Sequence, residues 1–130
     1  MSETNVSPAA ALLGREILSR DLERGEVFVR FMARQDFFNR NGIVHGGFIA
    51  AMLDSVTGLA VAGRVPEGSW AVTARLDTRF LKPAGAGPIF GRARVIEGDA
   101  RNVRIEGELS DGTGAAIAKA TAEMRILKRR

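Results

Sequence analysis

Alternating apolar and polar residues predict one long helix and several strands in this chain. From Gly46 to Ala62 every residue is uncharged except Asp54, which is typical of a helix buried over most of its circumference. Residues 26–32 alternate in the manner of a strand. Four more strand candidates, each with a period of two, cover residues 70–81, 88–97, 101–110 and 115–127.

A short amphipathic helix is predicted before the first strand. It covers Ala9–Ser19, and Ser7 and Pro8 supply an N-cap and a first-turn proline. We assign residues 1–24 to an N-terminal extension that carries this helix, and residues 1–130 to a single domain, because 130 residues suit one core. The order of helix, strand, long helix and four strands favours an α+β fold, in which an antiparallel sheet packs on one central helix.

Composition limits the chemistry. The chain has no cysteine and one histidine, His45, which excludes a disulfide framework, a thiolate nucleophile and a site of clustered His or Cys ligands. We therefore expect no metal catalysis and no bound metal. The first residues lack the order of a signal peptide, and no apolar run approaches the ~20 residues that span a bilayer. We expect a cytoplasmic protein without a membrane contact.

The charge balance is basic, with 19 Lys and Arg residues against 15 Asp and Glu residues. Arginine suits phosphate oxygens, so a polyanionic partner such as coenzyme A fits the charge. Nucleic acid fits it too, but the sequence has no helix-turn-helix, RNP or zinc motif, and we expect no nucleic-acid partner. The alternative interpretation is an Arg-rich, solvated surface without a ligand.

A polar motif lies before and within the long helix. It follows the pattern N-x-x-G-x-x-H-G-G with an acid nine residues after the His, and its residues are Asn39, Gly42, His45, Gly46, Gly47 and Asp54. Burying a lone carboxylate is costly, so Asp54 is expected to have a partner or a catalytic task. Gly42 is expected to supply a turn conformation closed to most residues. The motif resembles that of the hotdog-fold acyl-CoA thioesterases of the PaaI type, which are also similar to the aryl-CoA thioesterases.

The resemblance covers about residues 25–127 and implies a hotdog fold, in which the antiparallel sheet wraps around the long central helix. It implies hydrolysis of an acyl-CoA, with an aryl-acetyl or medium-chain acyl group, to the free acid and coenzyme A, a reaction that needs no cofactor. By the same resemblance, the Gly46 amide polarises the thioester carbonyl. Asp54 is then the general base on water or the nucleophile on the acyl carbon.

Asp54 lies eight residues after Gly46, or about 12 Å along a helix that rises ~1.5 Å per residue. It cannot reach a carbonyl held at the start of its own helix. If both residues act on one thioester, they come from different subunits whose long helices lie antiparallel and side by side. We therefore expect a homodimer, and the resemblance implies that two dimers pair into a homotetramer.

Other residues receive supporting roles from the resemblance. His45 orients the site or contacts the thioester region. Asn39 binds the thioester or positions the water, and Asn41 is the alternative to Asn39. Thr73, on the strand face away from Leu76, is expected to hold the hydrolytic water; an ordinary strand threonine is the alternative.

The predicted substrate-binding residues divide between the two ends of an acyl-CoA. Gly47 and Phe48 adjoin the catalytic motif. Further apolar candidates for the acyl pocket, or alternatively for the core or a dimer interface, are Phe38, Met52, Leu53, Val56 and Trp70. The nucleotide end is assigned to Arg79, Lys82, Arg101, Asn102 and Arg104, whose alternative is a solvated surface.

Three other functions compete with acyl-CoA hydrolysis. A non-catalytic acyl-CoA binding or sensor module would keep the pocket without an acid, so Asp54 counts against it. A hydratase or dehydratase of acyl thioesters needs a His and a carboxylate at another spacing, which the chain lacks. An interaction protein without a ligand would show no pocket between Asp54 and Gly46.

Overall fold

The computed structural model describes residues 6–128, which form a six-stranded sheet and one long helix. The helices are α1 (Pro8–Leu12) and α2 (Gly46–Ala60), and the strands are β1 (Glu16–Asp21), β2 (Glu26–Ala33), β3 (Ser69–Phe80), β4 (Gly87–Gly98), β5 (Asn102–Ser110) and β6 (Ala116–Lys128). The strand order is β1-β2-β4-β5-β6-β3, and every pairing is antiparallel. The predicted antiparallel sheet on one central helix is confirmed.

Helix α2 lies across strands β2 to β6 and supplies one side of the core. Its side chains at Ile49, Met52, Leu53 and Val56 are buried against the sheet, at the spacing of three and four residues that one helix face requires. The sheet covers only that face, so in the single chain Asp54 is exposed. Only Gly47, Ala51, Asp54 and Gly58 are exposed on α2, so the prediction that this helix is buried over most of its circumference is confirmed, with Asp54 on the narrow exposed stripe.

The predicted helix over Ala9–Ser19 is wrong beyond Leu12. Gly14 has a φ of +64°, a left-handed conformation that glycine adopts readily and that ends the helix. The residues after it form β1, which pairs with β2 at the edge of the sheet. Residues 1–5 of the predicted N-terminal extension lie outside the described residues, as do residues 129 and 130.

Strand β3 contains a β-bulge. Its register with β6 shifts between Thr73 and Arg75, so Ala74 is an extra residue. As a result Thr73 and Leu76 both lie opposite buried residues of β6 and both face α2. The prediction that Thr73 and Leu76 lie on opposite faces of the strand is wrong, because simple alternation does not take account of a bulge.

No helix in the described part of the chain is both long and apolar enough to cross a membrane.

Candidate active site

The loop before α2 is held together by the side chain of Asn39. Its Oδ1 accepts hydrogen bonds from the N–H groups of Asn41 at 2.9 Å and Ile43 at 3.5 Å. Gly42 has a φ of +76°, so the turn conformation expected there is confirmed. Since the two bonds occupy Oδ1, the side-chain NH₂ of Asn39 is the group that it can offer a substrate.

His45 caps the N-terminus of α2. Its Nδ1 accepts the N–H of Gly47 at 2.8 Å, and its carbonyl accepts the N–H groups of Phe48 at 2.9 Å and Ile49 at 3.3 Å. A neutral imidazole that accepts at Nδ1 carries its proton on Nε2. The geometry therefore gives His45 a capping role, while contact with a substrate stays a prediction.

The Gly46 N–H is the unpaired donor of this terminus. The four N–H groups without an i→i−4 partner at this terminus are those of the N-cap His45 and of Gly46, Gly47 and Phe48. The His45 N–H donates to the Phe37 carbonyl at 2.8 Å, and the N–H groups of Gly47 and Phe48 donate to His45. Among residues 6–128 no acceptor contacts the Gly46 N–H. The positive end of the helix dipole lies behind it, so the Gly46 amide is suited to bind a carbonyl oxygen or an oxyanion.

Asp54 is bonded to Thr73 across the gap between α2 and β3. The Thr73 Oγ1 donates to the Asp54 Oδ1 at 2.6 Å, so the two residues predicted to act on water are in contact. Both side chains are exposed in the single chain. The hydroxyl orients the carboxylate through one oxygen, and the second oxygen remains available for a water or an acyl carbon.

The backbone next to Asp54 is fixed by a buried threonine. The Thr57 Oγ1 donates to the carbonyls of Leu53 at 2.8 Å and Asp54 at 3.1 Å, and Thr57 is fully buried. Below it lies Gly107 of β5, where an added Cβ would be 2.9 Å from the Thr57 Cγ2. The glycine therefore permits α2 to approach the sheet closely at this point.

The two halves of the site contact different parts of β3. Gly46 adjoins the ring of Phe80 at the end of the strand, whereas Asp54 is bonded to Thr73 seven residues earlier. His45 and Gly47 lie at the start of α2 with Gly46, Asn39 lies in the loop before it, and Thr73 lies with Asp54. One chain does not bring these two groups together.

Phe80 was not among the predicted site residues. A Cβ built on Gly46 would lie 3.4 Å from the Phe80 Cε1, and 59% of the Phe80 side chain is exposed. Period-two alternation places Phe80 on the same strand face as Leu76. No pattern in the sequence shows that this face meets the start of α2.

The apolar candidates occupy different environments. The Phe48 ring stacks on the buried Phe37 with centroids 4.2 Å apart, so one side of it belongs to the core. Met52, Leu53 and Val56 are fully buried and serve the core, which was the alternative interpretation. Trp70 is 45% exposed.

Two of the charged candidates lie near the end of β3. Arg79 pairs with Lys119 of β6 on the sheet face away from α2. The Lys82 Nζ is 2.6 Å from the Asp111 Oδ2. This hydrogen bond, aided by Thr113, lowers the pKa of Asp111 well below its ordinary value.

The remaining candidates lie at the β4–β5 connection. The N–H groups of Arg101 and Asn102 donate to the Asp99 Oδ1 at 2.8 and 2.9 Å, and these bonds lower the pKa of Asp99. The Arg104 guanidinium contacts Glu97 and Glu123, each at 3.1 Å. The five candidates for the nucleotide end thus do not form one patch in a single chain.

No group of three or more His, Cys, Asp or Glu side chains within residues 6–128 is arranged to hold a metal ion.

This fold and motif have known counterparts. Residues 41–118 match the thioesterase superfamily. The "Putative esterase SSO2140" of Saccharolobus solfataricus is 32% identical over 108 residues, which are 83% of this chain and 76% of that protein. The phenylacetic acid degradation-related protein of Ralstonia eutropha JMP134 has a TM-score of 0.86 and 38% identity, over 92% of this chain and 90% of the other. A variant of the phenylacetic acid degradation protein PaaI of Thermus thermophilus is 28% identical with a TM-score of 0.81. The match covers 92% of this chain and 98% of that protein. The sheet and helix are those of the hotdog fold.

Proposed function

Because the chain belongs to the thioesterase superfamily and is a thioester hydrolase, we propose that it hydrolyses acyl-CoA thioesters at a site shared by two copies of the chain. The observation that carries this proposal is the pair of groups on α2. One is the Gly46 N–H without an acceptor, and the other is the Asp54 carboxylate held by Thr73. A carbonyl-polarising donor and an oriented carboxylate can together catalyse thioester hydrolysis.

In this mechanism the thioester carbonyl accepts the Gly46 N–H. Charge accumulates on that oxygen as the acyl carbon is attacked, and one such donor typically contributes about 2.7–4 kcal/mol of transition-state stabilisation. Asp54 acts as general base on a water or as nucleophile on the acyl carbon, and either role needs an ionised carboxylate. Thr73 orients that carboxylate by its hydrogen bond.

Two copies are needed because of the length of α2 between Gly46 and Asp54. Eight residues of helix separate them by about 12 Å along the axis, which exceeds the reach of one carbonyl and its attacking water. Two structural features support a second copy beside the first. The exposed face of α2 carries the small residues Gly47, Ala51 and Gly58 around Asp54, so another helix can approach closely.

Strand β3 is the second feature. It stands at the edge of the sheet, paired only with β6, and it is 12 residues long. A long edge strand leaves a row of backbone N–H and C=O groups for another strand. We propose an antiparallel dimer in which one copy supplies Gly46 and the other Asp54, with two sites per dimer, and a tetramer of two such dimers.

The proposal also names the acyl group and the coenzyme of the substrate. The Ralstonia and Thermus relatives carry phenylacetic acid degradation in their names, which supports an aryl-acetyl group as the acyl part. The residues predicted to contact the phosphates of coenzyme A remain Arg79, Lys82, Arg101, Asn102 and Arg104, and the Lys82 Nζ is paired with Asp111 in the single chain.

The first test is release of free thiol from aryl-acetyl, short-chain and long-chain acyl-CoAs. We expect hydrolysis by the wild type, and a loss of about 10²-fold or more in Asp54→Asn. Size-exclusion chromatography of both proteins controls for assembly. Near wild-type turnover by Asp54→Asn would refute the role of Asp54, and bound acyl-CoA without release would favour a binding module.

The second test separates a shared site from a site within one chain. Gly46→Pro removes the N–H at the first helical position, where proline is tolerated, and Gly46→Ala is the matched variant that adds a Cβ but keeps the donor. We expect Gly46→Pro to be far less active than Gly46→Ala. Mixing unfolded Asp54→Asn and Gly46→Pro and refolding them together should restore about a quarter of wild-type activity, because half of the dimers are hybrids with one intact site. No recovery in a confirmed hybrid would refute the shared site.

A further inference from the structure

Phe80 has the most exposed large apolar side chain of the described residues, with 59% open to solvent. It pairs across the ladder with Ala118, which is fully buried. Residues directly opposite each other share a face of the sheet, so the Phe80 ring is on the side of α2. The neighbouring Arg79 lies on the other, charged face, so this exposed ring is on the side of the sheet that carries the site.

The ring of Phe80 reaches the start of α2. A Cβ built on Gly46 lies 3.4 Å from Cε1 and 3.7 Å from Cζ of that ring. Apart from the chain neighbours of Gly46 and the helix backbone, no other described atom is within 4 Å of this point. The ring therefore borders the residue whose N–H has no acceptor in the described chain.

We propose that Phe80 is a positioning residue for the thioester hydrolysis proposed above, on which this inference rests. Its ring forms one wall of the carbonyl subsite, defined here as the space in which the thioester oxygen accepts the Gly46 N–H. An apolar wall excludes water from that donor. Because a hydrogen bond strengthens as the local dielectric falls, the ring increases the stabilisation of the developing oxyanion.

The same ring gives the subsite a preference among acyl groups. A flat aromatic face packs well on another aromatic ring, in offset or edge-to-face geometry. An aryl-acetyl group bound through its carbonyl to Gly46 carries its ring within a few bonds of this wall. A linear acyl chain has no ring to place there, so Phe80 favours aryl-acyl thioesters.

Steady-state hydrolysis by three variants tests the inference. Phe80→Ala removes the wall, Phe80→Leu keeps an apolar side chain without a ring, and Leu81→Ala is the control. Leu81 is the next residue and is 51% exposed, so its truncation removes a similar amount of exposed apolar surface. Each variant is compared with the wild type in kcat and KM for phenylacetyl-CoA and for octanoyl-CoA, with thermal denaturation as the check of folding.

We expect Phe80→Ala to lower kcat about tenfold with a smaller change in KM, because a donor buried by the ring acts mainly in the transition state. Phe80→Leu should keep most of the wild-type kcat for octanoyl-CoA. Its preference for phenylacetyl-CoA over octanoyl-CoA, measured as the ratio of the two kcat/KM values, should be about threefold or more below that of the wild type. Leu81→Ala should match the wild type. Equal losses in Phe80→Ala and Leu81→Ala, or none in Phe80→Ala, would overturn the inference and leave the proposed function standing. Absence of hydrolysis by the wild type would overturn both.

Discussion

Gly107→Ala should destabilise the protein by wedging α2 away from the sheet one turn after Asp54. The new Cβ would be 2.9 Å from the Thr57 Cγ2 and 3.6 Å from the Leu53 Cδ2, whereas carbon atoms pack best at about 3.5–4.0 Å. Thr57 cannot rotate away, since it is β-branched and its hydroxyl is bonded to the Leu53 carbonyl. Overpacking of this kind costs about 1–3 kcal/mol, and the lower chain entropy of alanine returns about 0.5–1 kcal/mol. The difference is a net loss of about 0–2.5 kcal/mol in the free energy of unfolding, and we expect about 1 kcal/mol.

Thr57→Ser supplies the matched variant for this prediction, because serine lacks Cγ2 but keeps the hydroxyl. In the Thr57→Ser protein, Gly107→Ala should cost less than about 0.5 kcal/mol, which gives a coupling energy of about 0.5 kcal/mol or more. Urea denaturation followed by circular dichroism measures all four proteins. Gly112→Ala is the control, since no atom lies within 4 Å of a Cβ at that turn. If Gly107→Ala lowers the free energy of unfolding equally in the wild type and in the Thr57→Ser protein, the steric reasoning is refuted.

Two further predictions concern hydrogen bonds of the site and of the turn beside it. Thr73→Val should lower kcat/KM for an acyl-CoA about tenfold without dissociating the dimer, because a hydrogen bond to a charged group contributes about 1.5–3 kcal/mol; unchanged kinetics would leave Thr73 an ordinary strand residue. Lys82→Met should raise the pKa of Asp111 toward 3.8, its ordinary value, as measured by NMR titration of the carboxyl carbon. Because the folded state lowers this pKa, the Lys82–Asp111 pair contributes to the stability of the fold above pH 3.8. That contribution disappears as the pH falls below this value. The stability difference between wild type and variant should therefore vanish in strong acid, and a difference that persists there would contradict the pairing.

The long helix and five of the six strands of the described residues could be predicted from the sequence because their signals are local. The strand predicted over residues 70–81 is observed as Ser69–Phe80, and the helix predicted from Gly46 to Ala62 ends at Ala60. Period-two alternation and the Gly- and Asp-containing turns define such elements without tertiary information. Leu13 and Ile17 are four residues apart, which suits a helix, and this spacing concealed the edge strand β1.

The environment of the site residues depended on tertiary structure. Asp54 was expected to be buried because its neighbours on α2 are small and apolar, but the sheet covers only the opposite face of the helix. The contact between Gly46 and Phe80 joins residues that are 34 positions apart in the chain. No periodicity within α2 or β3 specifies which end of one element meets which end of the other.

The bulge at Ala74 makes the geometry of the site depend on a residue count. Thr73 and Phe80 occupy an odd and an even position of one strand, and they face the same helix only because one additional residue lies between them. Deletion of Ala74 would force one part of β3 to slide by one position, which turns its side chains to the other face. The presence of this one backbone unit, whatever its side chain, therefore decides whether Thr73 meets Asp54 while Phe80 meets Gly46. Alignments of related chains should therefore be read for gaps in β3 as carefully as for changes of residue.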